Sequence, residues 1–143
     1  MILTDVNILV HAHRMDMPQH ESFLEWLSDT INGDQAYAMS DAVIAGFVRV
    51  VTHPRVFRKP STLEQALVFC SMVVTQSHCL RLAPGPRHFD IFTRLCREAE
   101  IRGSMVWDAF HAALAIEHGC EWVTTDRDFS RFDGLRWRHP LRD

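Results

Sequence analysis

Residues 2–10, Ile2-Leu3-Thr4-Asp5-Val6-Asn7-Ile8-Leu9-Val10, decide how the chain is read. A short apolar run ends at a carboxylate and resumes with Val6, Leu9 and Val10 at helical spacing, which predicts a strand, an acidic tip and a helix. The same alternation continues outward from it. Residues 19–31 place Phe23, Leu24, Leu27 and Ile31 at helical intervals before Gly33, and a short strand is expected at 36–39. Ser40 or Asp41 is positioned to cap a helix over 42–52 rich in Val43, Ile44, Phe47, Val48 and Val51. Pro54 and Pro60 bracket a loop. A long apolar helix at 62–76, a strand near 80–82, a Pro-Gly-Pro turn at 84–86 and a helix at 88–101 follow. The remainder predicts a helix at 107–117 stopped by Gly119, a strand at 122–125 running into an Asp-rich turn, and an edge strand within 135–140.

Strands alternating with helices of this length predict an α/β fold with a mainly parallel sheet, because parallel neighbours require crossover connections. The 143 residues, 47% of them apolar, suit one domain spanning 1–143 with a substantial core. No apolar run approaches the roughly 20 residues of a membrane helix, and the N-terminus lacks the basic stretch and cleavage site of a signal peptide, so a cytoplasmic protein is expected. Cys70, Cys79, Cys96 and Cys120 show neither zinc spacing nor a disulfide framework and are expected as apolar fillers. The net charge of −3 argues against a general nucleic-acid coat, although fourteen of the fifteen basic residues are Arg, the side chain suited to bidentate phosphate contacts.

In parallel sheets, ligands bind beyond the carboxyl ends of strands near a reversal of strand order. Asp5 ends the first strand, Asp126 and Asp128 form the turn after a late strand, and Asp108 opens the helix DAFHAALAIEHG. Brought together, these carboxylates repel one another and call for a cation. Mg²⁺ or Mn²⁺ fits, being a hard ion that takes oxygen ligands and retains waters. One or two such ions activate water for attack on a phosphodiester. Taken singly, Asp108 is also a plausible helix cap, Asp126 and Asp128 plausible turn formers, and Asn7 either a partner of Asp5 or a cap.

The segments ILTDVNILV, SDAVIAGFVRVVTHPRVF, WDAFHAALAIEHG and TTDRDFSRF, in this order over nearly the whole chain, resemble the PIN-domain ribonucleases and most closely the VapC toxins of bacterial toxin–antitoxin pairs. The resemblance implies a PIN-like three-layer α/β/α sandwich and Mg²⁺- or Mn²⁺-dependent cleavage of structured RNA such as tRNA or rRNA. It also implies a VapB-type antitoxin partner and a homodimer. It maps the first, third and fourth acidic positions onto Asp5, Asp108 and Asp126, with Asp128 auxiliary. Relatives commonly carry a Glu in the second motif, where this chain has Gly46, which offers no ligand. Asp41, about one turn earlier, is either a substitute ligand or only the N-cap. The substitution leaves open a PIN-like module without turnover that acts through its antitoxin.

Other Asp-centred readings are weaker. A dehalogenase-like phosphatase needs Asp two places after the first, where Asn7 stands, and a phospho-receiver needs a lysine that the single Lys59 does not supply. Neither a P-loop nor a Gly-x-Gly-x-x-Gly turn occurs. Arg49, Arg55 and Arg58 after the second motif, and Arg127, Arg131, Arg136 and Arg138 near the C-terminus, are candidates for a phosphate-gripping rim or are solvated surface. His11 and His13 lie two apart and point to different sides of a helix. His111, Trp107 and Trp122 are expected to pack, and the apolar helix 62–76 to be core first and interface second.

Overall fold

The computed structural model describes residues 1–142. Five parallel strands, β1 (Ile2–Thr4), β2 (Tyr37–Ser40), β3 (Cys79–Leu82), β4 (Glu121–Val123) and β5 (Trp137–Arg138), form one sheet in the order β3-β2-β1-β4-β5. The helices are α1 (Val6–His13), α2 (His20–Asn32), α3 (Asp41–Val51), α4 (Leu63–Val74), α5 (His88–Glu98) and α6 (Met105–Glu117), with a 3₁₀ turn at Arg127–Arg131. Right-handed crossovers carry β1 to β2 to β3 in one direction, which puts α1–α4 on one face; the return to β4 puts α5 and α6 on the other. α1 packs on α2 and α3, and α5 on α6, giving the α/β/α sandwich expected from the alternation.

The central strands are buried on both faces, as an all-parallel sheet requires: Leu3, Ala38, Met39, Trp122 and Val123 are inaccessible to solvent. Because β2 and β3 lie to one side of β1 and β4 and β5 to the other, strand order reverses between β1 and β4. The ladder runs one step beyond β1, with the Asp5 amide donating to the Val123 carbonyl at 2.9 Å. The carboxyl ends of β1 and β4 therefore open side by side at the reversal.

Several boundaries differ from the sequence expectation, each for a local reason. β4 ends at Val123; the buried Thr124 that follows still donates its amide to the Arg138 carbonyl of β5 at 3.0 Å, while its hydroxyl turns to Asp5. α6 begins at Met105, two residues earlier than expected, so Asp108 lies inside its first turn and is not its cap. Gly119 stops the same helix with φ of +65°, a backbone state that a side chain disfavours. Gly33 ends α2 in extended backbone and not in the left-handed state typical of such glycines. α4 is half core: Ala66, Phe69, Cys70 and Val73 are buried, whereas Leu63, Leu67, Val68 and Met72 face solvent. Among the described residues, no helix is long and apolar enough to cross a membrane.

Two buried charges fasten loops around this frame. The Glu117 carboxylate accepts from the Gly85 and Arg87 amides at 2.9 and 3.1 Å, tying the Pro84–Pro86 turn to the end of α6. Arg14 lies over the Phe57 ring at 4.0 Å and donates to Asp16 and Ser61, holding the α3–α4 loop against α1.

Candidate active site

Asp5 is the best-held carboxylate of the molecule's acidic end. It caps α1, with Oδ1 accepting from the Val6 amide at 2.7 Å. Oδ2 accepts from Asn7 Nδ2 at 2.9 Å and from Thr124 Oγ1 at 2.6 Å. Thr124 Oγ1 in turn accepts from Asn7 Nδ2 and from the Asp126 amide, and Asn7 Oδ1 accepts from the Thr125 amide. Asn7 is thus a partner of Asp5, not a cap. Thr124 is a site residue that the sequence reading missed; a threonine near the end of the predicted 122–125 strand, just before the Asp-rich turn, was its only signal. Through these bonds the β1 and β4 ends fix each other.

Burial pushes the Asp5 carboxyl up to about 6, with the hydrogen bonds from Thr124 and Val6 opposing the rise and the charges of Asp108 and Asp126 adding to it. Asp108, half-buried, is raised by desolvation and then by Asp126 and Asp128, against the pull of Arg131. The first turn of α6 directs the positive end of its dipole toward this carboxylate. Asp126 spends Oδ1 on the Asp128 amide at 2.8 Å, capping the 3₁₀ turn, and Asp128 is exposed and paired with Arg131 at 3.3 Å.

These aspartates therefore influence one another electrostatically, but among the described residues no three His, Cys, Asp or Glu side chains stand close enough to enclose a metal ion jointly. The donor chemistry still suits a hard cation: buried, mutually repelling carboxylates are relieved by Mg²⁺ or Mn²⁺. Mg²⁺ needs only one or two protein carboxylates when waters and substrate phosphate oxygens complete its shell.

Asp5 and Asp108 open into a cleft of about 800 Å³ walled by two helix faces. α3 contributes Ala42, Ala45, Gly46 and Arg49, and α6 with its preceding Ser104 contributes Trp107, Asp108 and His111, each set spaced about one turn apart. Gly46 faces this cleft beside Val6, whose Cγ2 would lie 2.9 Å from a Cβ placed there. Asp41 does not join the cleft. Its side chain is 82% exposed and paired with Arg81 of β3, while Ser40 caps α3 by accepting from the Val43 amide at 3.1 Å. Ser40, not Asp41, is therefore the cap, and the Asp41 carboxylate is turned to Arg81.

The arginines divide. Arg49 lines the cleft, and Arg55, Arg58 and Arg127 are exposed. Arg136 and Arg138 reach the Gly119 carbonyl and the Glu121 carboxylate at the start of β4, the end of the sheet away from the carboxylates. His111 stacks on Trp122 with ring centroids 5.4 Å apart, and burial lowers its pKa to about 4, so it is neutral. His11 and His13 turn to Pro18 and Ser61 respectively. Trp122 is wholly buried, as expected of a packing residue, but Trp107 is 61% exposed on the wall of the cleft, contrary to that expectation.

The family model described as PIN domain matches residues 2–135. Over 141 residues the chain is 40% identical to Ribonuclease VapC43 of Mycobacterium tuberculosis, covering 99% of this chain and 96% of that protein. It is 39% identical over 140 residues to Ribonuclease VapC25 of the same organism, covering 98% and 99%. Among solved structures, VapBC2 from Rickettsia felis, bound to a DNA fragment from its promoter, superposes with a TM-score of 0.67 at 21% identity, covering 97% of this chain and 98% of that chain. At that identity the likeness is one of fold.

Proposed function

The chain belongs to the PIN-domain family, among the VapC ribonucleases, and on that premise we propose that it is a Mg²⁺- or Mn²⁺-dependent endoribonuclease toxin that cleaves structured RNA, such as tRNA or rRNA, to arrest growth. The observation that carries the reading is the pair of carboxylates, Asp5 and Asp108, opening into one cleft at the reversal of strand order. Asp5 and Asp108 are the proposed principal metal ligands, with Asp126 and Asp128 on the adjoining turn contributing as the substrate is bound. When bound, the ion supplies an activated water and steadies the charge developing on the phosphodiester. Val6 and Thr124 hold the Asp5 pKa down against the rise from burial, and with Asn7 they fix where the carboxylate points. The small side chains of Ala42, Ala45 and Gly46 leave room for the sugar-phosphate chain, and Arg49 neutralises a phosphate beside it.

The proposed protein partners are a VapB-type antitoxin and a second copy of the chain. Support for the antitoxin lies in the exposed apolar face of α4, Leu63, Leu67, Val68 and Met72, next to a cavity of about 630 Å³. Such a face suits the apolar stripe of a partner helix.

A second reading, a PIN-like module with weak or no turnover, is favoured by one observation: Gly46 places no carboxylate on the α3 wall. Incubating total RNA with the purified, antitoxin-free protein in Mg²⁺, Mn²⁺ or EDTA, beside Asp5→Asn, separates the two. Discrete fragments that need both metal and Asp5 are expected. Intact RNA in every arm, from a folded protein, overturns the nuclease reading in favour of the binding module.

A further inference from the structure

Trp107 stands where an apolar ring is hardest to account for as packing. It is 61% exposed, whereas Trp122 is fully buried and Trp26 and Trp137 are half-buried. A tryptophan carries one of the largest apolar surfaces of any side chain, and leaving it in water forgoes most of the gain from burying it. One contact steadies the ring: Phe110 meets it edge to face, centroids 5.5 Å apart at 69°. The same cleft is lined from α3 by the small residues Ala42, Ala45 and Gly46, with Val6 and Val50 beside them and Arg49 as the cation. The result is a slot with an aromatic platform on one side, a cation at one end and the Asp108 carboxylate one residue from the platform.

A protein contact would place the indole against apolar surface, yet here it would also have to strip water from Arg49, Asp5 and Asp108 in the same cavity, a penalty that interface cores avoid. A nucleotide uses every part of the slot. Its base has a flat face for the indole, its phosphate suits the guanidinium, and a cavity of about 800 Å³ lies within the range of small-molecule sites. Only an unpaired base can enter, because a base within a duplex has both faces covered by its neighbours. We propose that Trp107 is the stacking platform for one unpaired base of the RNA next to the cleaved phosphate. This rests on the ribonuclease reading above, but its test does not require turnover.

The test is binding in EDTA, where a metal-dependent enzyme does not cleave. A short fluorescein-labelled single-stranded RNA of mixed sequence and its fully paired duplex are titrated with wild type, Trp107→Ala and Trp107→Phe, following anisotropy and tryptophan emission. The single strand is expected to quench wild-type emission and to bind Trp107→Ala more weakly by about 5- to 100-fold, with Trp107→Phe recovering most of the loss. The duplex is expected to bind all three alike. Equal single-strand affinity for wild type and Trp107→Ala, or no quenching, overturns the proposal. So does a Trp107→Ala protein that changes its sedimentation while binding RNA as wild type does, which would assign the indole to a protein interface. Quenching and loss of affinity in a protein that cuts no RNA with any metal would support the platform while refuting the nuclease.

Discussion

Thr124 Oγ1 donates to Asp5 Oδ2 at 2.6 Å across 119 residues of sequence, so the last turn of the site holds the first carboxylate. The bond lies at the strand-order reversal and has two further dependants: Asn7 Nδ2 and the Asp126 amide, which begins the acidic turn, both use the same hydroxyl.

Replacing Thr124 by Val removes that hydroxyl at nearly constant volume and leaves two donors short of an acceptor. A stability loss of about 1–3 kcal/mol is expected in urea unfolding. The Thr124 bond holds the Asp5 pKa down, so its loss raises that pKa further. If cleavage needs the Asp5 carboxylate, the acid limb of the rate profile moves to higher pH in Thr124→Val and returns in Thr124→Ser. A profile unmoved by Val would deny the coupling.

Asp5 also predicts how the metal-free protein responds to pH. Its pKa rises from 3.8 to about 6 on folding, so the unfolded chain ionises first as pH increases. Below about pH 4 the group is protonated in both states and nothing is lost. Between the two values a penalty accumulates, reaching about 3 kcal/mol above pH 6. Asp5→Asn removes the penalty but cannot accept from Val6, Asn7 and Thr124 all at once, so a net gain on the order of 1–2 kcal/mol is expected above about pH 6 in EDTA. That gain should shrink toward zero or reverse below about pH 4; a gain independent of pH would rule out ionisation as its source.

The α3 wall distinguishes two positions that sequence alone treats as exchangeable. Asp41→Ala should leave the metal requirement within about twofold of wild type, because the side chain is exposed and engaged with Arg81. Gly46→Glu should lower the Mg²⁺ or Mn²⁺ concentration for half-maximal cleavage several-fold, because it adds a carboxylate to the cleft. The close Cγ2 of Val6 must yield, so the gain should be larger in Val6→Ala/Gly46→Glu. A metal titration of these three variants beside wild type and Asp108→Asn checks both halves, and a larger loss from Asp41→Ala than from Asp108→Asn would reverse the assignment.

The sequence by itself determined the alternation of strand and helix, the parallel sheet, and the placement of Asp5, Asp108 and Asp126 at the carboxyl end of that sheet. These are local matters: apolar period, capping residues and turn residues act within a few positions of each other. Tertiary structure alone decided that Thr124 bridges β4 to Asp5, that Asp41 turns toward Arg81, that α4 keeps an apolar face in solvent and that Trp107 stands open on the cleft. Each depends on which segments meet in space: Thr124 and Trp107 at the strand-order reversal, Asp41 beside β3, and α4 on the outer face. A Trp on an apolar helix has the same local pattern whether its neighbour across the gap is a bulky side chain or, as here, the small face of Ala42, Ala45 and Gly46.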